Sequence, residues 1–94
     1  MLEKQIEERL RLSVKCLGGI AYKWVSPGNA GVPDRIVVLP GGLLWFVELK
    51  QPGKKPTTLQ RAKIDQLRRL GFRVKVIDSV QGVDRFIREV SSGL

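Results

Sequence analysis

The chain of 94 residues contains no histidine and a single cysteine, Cys16. Without histidine there is no Ser-His-Asp or Cys-His machinery, no imidazole general base, and none of the commonest ligands for transition metals. One cysteine excludes a disulfide framework and a thiolate zinc site, so Cys16 reads as a small apolar filler near the end of a helix. No window approaches the roughly 18 uninterrupted apolar residues of a membrane span. The start, MLEKQIEERLRLSVK, has the pattern of a charged helix and not of a signal peptide. These absences lead us to expect a soluble, cytoplasmic protein whose chemistry runs on carboxylates, lysine, hydroxyls and a hard metal ion.

Acidic charge is also scarce. Seventeen Lys and Arg against nine Asp and Glu leave a formal net charge of +8. Such an excess favours a polyanionic partner through counterion release, so nucleic acid is the expected ligand, with an unspecific solvated basic surface as the bland alternative. At 43% hydrophobic residues, the length suits one domain over 1–94 with a modest core.

Leu2, Ile6, Leu10, Val14 and Leu17 recur at steps of three and four, predicting an amphipathic helix that Gly18-Gly19 ends. IAYKWV (20–25) reads as a strand and SPGNAGVP (26–33) as a loop. RIVVL (35–39) and LLWFVEL (43–49) flank Pro40-Gly41-Gly42 and are apolar on both faces, as central strands of a covered sheet would be. A helix follows from Thr57 to Gly71, then a strand RVKVI (73–77), then a helix after Asp78-Ser79. The order α-β-β-β-α-β-α predicts an α/β fold with a mixed central sheet flanked by helices.

Asp34, Glu48 and Lys50 stand at the edges of the two most apolar strands. Their relation depends on the turn. A two-residue turn at Gly41-Gly42 pairs Asp34 with Leu49 and sends Asp34 and Glu48 to opposite faces, whereas a three-residue turn at 40–42, or a bulge, sets the two acids against each other. In the second case Lys50 shares their face. Two carboxylates and an ammonium there would suit Mg²⁺, which takes one or two carboxylates with water and phosphate oxygens. A plain ion pair at the strand ends is the competing reading.

Pro33-Asp34 and Glu48-Leu49-Lys50, on these strands and in this order, resemble the PD-(D/E)xK nucleases. GVPD followed by VELK, with Gln60 opening a later helix, resembles the small stand-alone VRR-NUC domains of phages and bacteria. The resemblance spans nearly the whole chain. It implies a restriction-endonuclease-like core and a metal-dependent phosphodiesterase. Asp34, Glu48 and the backbone carbonyl of Leu49 would bind Mg²⁺, with Mn²⁺ able to substitute, and Lys50 would assist the attacking water. It also implies an acid from the first helix. Glu3, followed by Ile6 and Leu10, matches that pattern, and on a helical wheel it falls inside the apolar stripe, with Glu7 at the margin as substitute and Glu8 opposite.

Gln60 has two readings. Thr57-Thr58-Leu59-Gln60 fits a capping box, while the resemblance places the glutamine in the active site and favours that role. Lys54 and Lys55 sit in the loop after Lys50 as a phosphate-binding lip. Ser26 and Asn29 are further DNA-binding candidates, though ordinary turn residues by type. Arg61, Lys63, Arg68, Arg69, Arg73 and Lys75 read as a solvated basic side. No base-reading module is visible.

The expected function is thus a Mg²⁺-dependent, structure-selective DNA endonuclease of a bacterium or of a phage in a bacterial host. The resemblance points to branched DNA such as a four-way (Holliday) junction. Paired cuts from one site per chain imply a homodimer. Nuclease action on single-stranded, nicked or flap DNA, and a non-catalytic basic DNA-binding module, are the alternatives.

Overall fold

A computed structural model describes residues 3–93. Helix α1 (Glu3–Cys16) is followed by strands β1 (Ile20–Lys23), β2 (Arg35–Leu39) and β3 (Leu43–Leu49). Helix α2 (Thr58–Arg69), strand β4 (Val74–Ile77) and helix α3 (Val80–Ser91) complete the order. Leu2, the first position of the expected helical stripe, lies outside the described residues. The sheet order is β1-β2-β3-β4, antiparallel except for the parallel pair β3–β4 that α2 connects. The two strands apolar on both faces therefore lie in the middle, as their composition requires.

Each sheet face has its own core. Ile6, Leu10 and Val14 of α1 and Val83, Phe86 and Val90 of α3 meet Ala21, Val37, Val47, Leu49 and Ile77 on one face. Ile64 and Leu67 of α2 meet Trp24, Ile36, Phe46 and Val74 on the other. The period of two along β2 and β3 explains the partition, because odd-numbered residues point to α1 and α3 and even-numbered ones to α2.

Two details differ from the sequence reading. Cys16 is exposed and not a core filler; it falls off the Ile6–Leu10–Val14 stripe, and the next inward position goes to the half-buried Leu17. Strand β1 stops at Lys23, two residues early. Trp24 still continues the pairing, donating its N–H to the Asp34 carbonyl at 2.8 Å, but Val25 turns out into solvent.

The link between β2 and β3 positions everything that follows. Leu39 pairs with Leu43, leaving Pro40, Gly41 and Gly42 as a three-residue turn. Gly41 and Gly42 take φ of 83° and 77°, a left-handed conformation that side-chain-bearing residues seldom adopt. Two such residues in succession close the hairpin with one residue more than the tightest turn. That extra residue sets the register.

Candidate active site

The printed pairs run from Leu39–Leu43 to Arg35–Val47. One step further, Asp34 stands opposite Glu48, and on the other side it stands opposite Trp24. All three side chains share the α2 face, as does Lys50, two residues beyond Glu48. The sheet thus presents a row of Trp24, Asp34, Glu48 and Val76 across four neighbouring strands at one end.

The Asp34 carboxylate is fixed by the backbone: Leu49 donates its N–H to Oδ2 at 2.8 Å. The neighbouring N–H, that of Lys50, points the opposite way and donates to the Ile77 carbonyl of β4 at 2.9 Å. In an extended strand the N–H and C=O of one residue point the same way, so the Leu49 carbonyl opens on the Asp34 side.

Glu48 is in an unusual state for a carboxylate. Its side chain is 1% exposed, and neither oxygen accepts a hydrogen bond among the described residues. Lys50 Nζ approaches Oε2 to 3.2 Å, an electrostatic contact without hydrogen-bond alignment. Burial first, and then the charge of Asp34, pushes the Glu48 carboxyl up to about 7, against the pull of Lys50. A buried carboxylate with orphaned oxygens beside a second acid is costly unless something cationic satisfies it. A divalent cation would satisfy both acids, and the pair fits Mg²⁺, which commonly takes one or two protein carboxylates.

The other expected site residues fall in different places. Among the described residues no three acids converge. The first half of α1 lies at the same end of the sheet, but on the opposite face, where Glu7 Oε1 meets Arg35 Nη2 at 2.6 Å. Arg35 is buried and also donates to the Ala21 carbonyl at 3.1 Å. Glu7 is therefore committed to an ion pair that clamps α1 to β2. Glu3 is half-buried one turn earlier, outside any acidic cluster, and Glu8 is exposed and paired with Arg11.

Gln60 forms the capping box: its Oε1 accepts the Thr57 N–H at 2.9 Å, and its own N–H donates to Thr57 Oγ1 at 3.2 Å. That is the reading the resemblance disfavoured, and it leaves the Gln60 amide nitrogen as the group open to another role. Ser26 and Asn29 are bound to each other, Asn29 Nδ2 donating to Ser26 Oγ at 3.1 Å within a turn. Lys54 and Lys55 are exposed on the loop after Lys50. Of the solvated basic residues, Arg68 instead donates to the Val74 carbonyl at 2.8 Å, and Arg73 and Lys75 lie over Trp45. A recess of about 500 Å³ lies by Leu17, Pro40 and Leu43 at the far end of the sheet, and among the described residues no titratable side chain lines it.

Arg35 and Trp24 were missed by the sequence reading. The signal for Arg35 was its place at the start of an otherwise apolar strand. For Trp24 it was the register of β1 with β2, which sequence alone does not fix.

Comparison with known proteins identifies the family and supports the fold. The family model for the VRR-NUC domain matches residues 1–81. The chain belongs to the VRR-NUC family. A solved VRR-NUC domain superposes with a TM-score of 0.87 at 33% identity, covering 92% of this chain and 94% of that one. A curated relative, "Putative nuclease p44" of Acyrthosiphon pisum secondary endosymbiont phage 1, is 53% identical over 77 residues, 82% of this chain and 83% of that protein. Within this VRR-NUC domain the matched residues include the whole hairpin and α2. No helix among the described residues is long and apolar enough to cross a membrane.

Proposed function

We propose that this VRR-NUC nuclease domain is a Mg²⁺-dependent, structure-selective DNA endonuclease. The carrying observation is that Asp34 and Glu48 face each other at the end of the hairpin, with the Glu48 oxygens buried and, among the described residues, accepting no hydrogen bond. Asp34, Glu48 and the Leu49 carbonyl would hold the ion. Glu3, at the start of α1, is the remaining candidate for a further acid.

When bound, the ion supplies positive charge that lowers the pKa of water and offsets the charge of the phosphodiester. The chain's own residues do the rest. The Leu49 N–H keeps Asp34 from rotating, and the hairpin register keeps Glu48 against it. Lys50, on the same face, presents an ammonium to the negative charge that develops on phosphate oxygens during attack. Lys54 and Lys55 hold the DNA backbone beside it.

Among the described residues the domain carries one such site, so paired cuts in a four-way junction require two copies. We read a homodimer acting on branched DNA as the working form. Cleavage of fixed four-way junctions, flaps, nicked duplexes and single strands with Mg²⁺, by the wild type and by Asp34→Ala and Glu48→Ala, tests this. Cutting of junctions that both variants lose is the expected result, and equal cutting by either variant contradicts the site.

A further inference from the structure

Beside the acidic pair, α2 and the loop 24–32 enclose a recess of about 190 Å³. Trp24, Val32 and Leu67 give it apolar walls, and Asn29, Lys63 and Gln66 put polar groups on its rim. Among the described residues, the Lys63 ammonium and the Gln66 amide have no ion-pair or hydrogen-bond partner. Asn29 spends its amide nitrogen on Ser26, which orients its side-chain carbonyl oxygen as an acceptor.

The place of this recess matters as much as its lining. Trp24 is the cross-strand neighbour of Asp34 on the α2 face, about one strand spacing (~5 Å) from that acid and about two (~10 Å) from Glu48. DNA with a phosphate at the acids would therefore bring an adjacent nucleotide to the recess. In paired DNA that base is stacked inside the duplex and cannot enter. An unpaired one can turn out of the stack, lie against an aromatic wall and meet amide groups with its edge.

Resting on the nuclease reading above, we propose that this recess seats one unpaired nucleobase next to the phosphate that is cut. Trp24 is the apolar and aromatic wall, Gln66 and Asn29 meet the base edge, and Lys63 meets the adjoining phosphate. Selectivity for DNA structure then arises at the site itself: a junction, flap or loop can supply the loose base, and an intact duplex cannot.

The test is equilibrium binding of the full chain, by fluorescence anisotropy in EDTA, to three otherwise identical DNAs. One is fully paired, one carries an unpaired nucleotide at a branch, and one carries an abasic residue at that same position. The wild type should bind the unpaired base about tenfold more tightly than the abasic DNA. Gln66→Leu, on the surface of α2, should abolish most of that preference, with binding of the paired duplex changed less than about threefold, whereas Lys63→Gln, which removes a phosphate contact present with or without the base, should weaken the unpaired and abasic DNAs alike. Equal binding of the unpaired and abasic DNAs by the wild type overturns the proposal, as does a proportional loss by Gln66→Leu on all three DNAs. Cleavage of the same DNAs in Mg²⁺ is scored separately. A wild type that cuts none of them contradicts the nuclease reading without altering the binding comparison.

Discussion

Leu49 donates its backbone N–H to Asp34 Oδ2 across 2.8 Å, tying the carboxylate of one strand to the spine of the next. The bond does two things: it closes the hairpin one residue beyond its last regular pair, and it aims Asp34 along the sheet toward Glu48. Asp34→Asn can keep this acceptor, while Asp34→Ala orphans a half-buried N–H. We expect both to lose at least about a hundredfold in cleavage rate, since both remove the charge. Only Asp34→Ala should also lose about 1–2 kcal/mol of stability in urea denaturation.

Glu48 makes the metal-free protein sensitive to pH in an uncommon direction. Its carboxyl is raised from about 4.5 to about 7 on folding, so between those values the native state binds more protons than the unfolded chain. Stability is then greatest below about 4.5 and falls as pH rises through 7, by up to roughly 3 kcal/mol. Denaturation in EDTA from pH 4 to 8 checks this after correction for the other groups by Glu48→Gln. That variant should lack the decline and be the more stable protein at pH 7.5.

Lys50 opposes this shift. Replacing it with Gln should extend the fall in stability to still higher pH, because Glu48 loses the cation paired with it. The same variant should cleave at least about tenfold more slowly with metal binding retained, measured by Mn²⁺ calorimetry.

Glu7 and Arg35 offer a contrast between holding the fold and holding a metal. Glu7→Gln leaves the buried Arg35 guanidinium without its counter-charge, so a loss of about 2 kcal/mol is expected. A double-mutant cycle with Arg35→Met should return most of it as coupling. Mn²⁺ affinity should stay within about threefold, as Glu7 lies across the sheet from the acidic pair.

For Gln60, the capping box gives a separable outcome. Gln60→Ala should cost about 1 kcal/mol, and Gln60→Glu, which preserves the reciprocal cap, should recover it. Thermal denaturation of the two variants measures this directly.

The strands and helices were legible because their period and punctuation act locally: Ile6, Leu10 and Val14 mark one face, and Thr57, Ser79 and Gly71 mark the ends of helices. The Pro40-Gly41-Gly42 turn was legible only as two alternatives, since composition does not say whether proline joins the turn or the strand. What decides is a pair of left-handed glycines after it. The helical acid was the least legible feature. A helical wheel ranks residues by angle and is blind to a competing partner, and the partner of Glu7 is Arg35, a residue 28 positions away in sequence. Gln60 shows the converse case, in which a local bond to Thr57 claims the side-chain oxygen that family resemblance assigns to the site.

The central claim is that Asp34 and Glu48 together hold the divalent ion. Anomalous diffraction from a crystal soaked in Mn²⁺ tests it most directly. The expected result is a peak between the two carboxylates and beside the Leu49 carbonyl, absent from Glu48→Gln. A peak elsewhere in the fold, or an empty Asp34–Glu48 site in a protein that cleaves DNA only with Mn²⁺, would contradict the account.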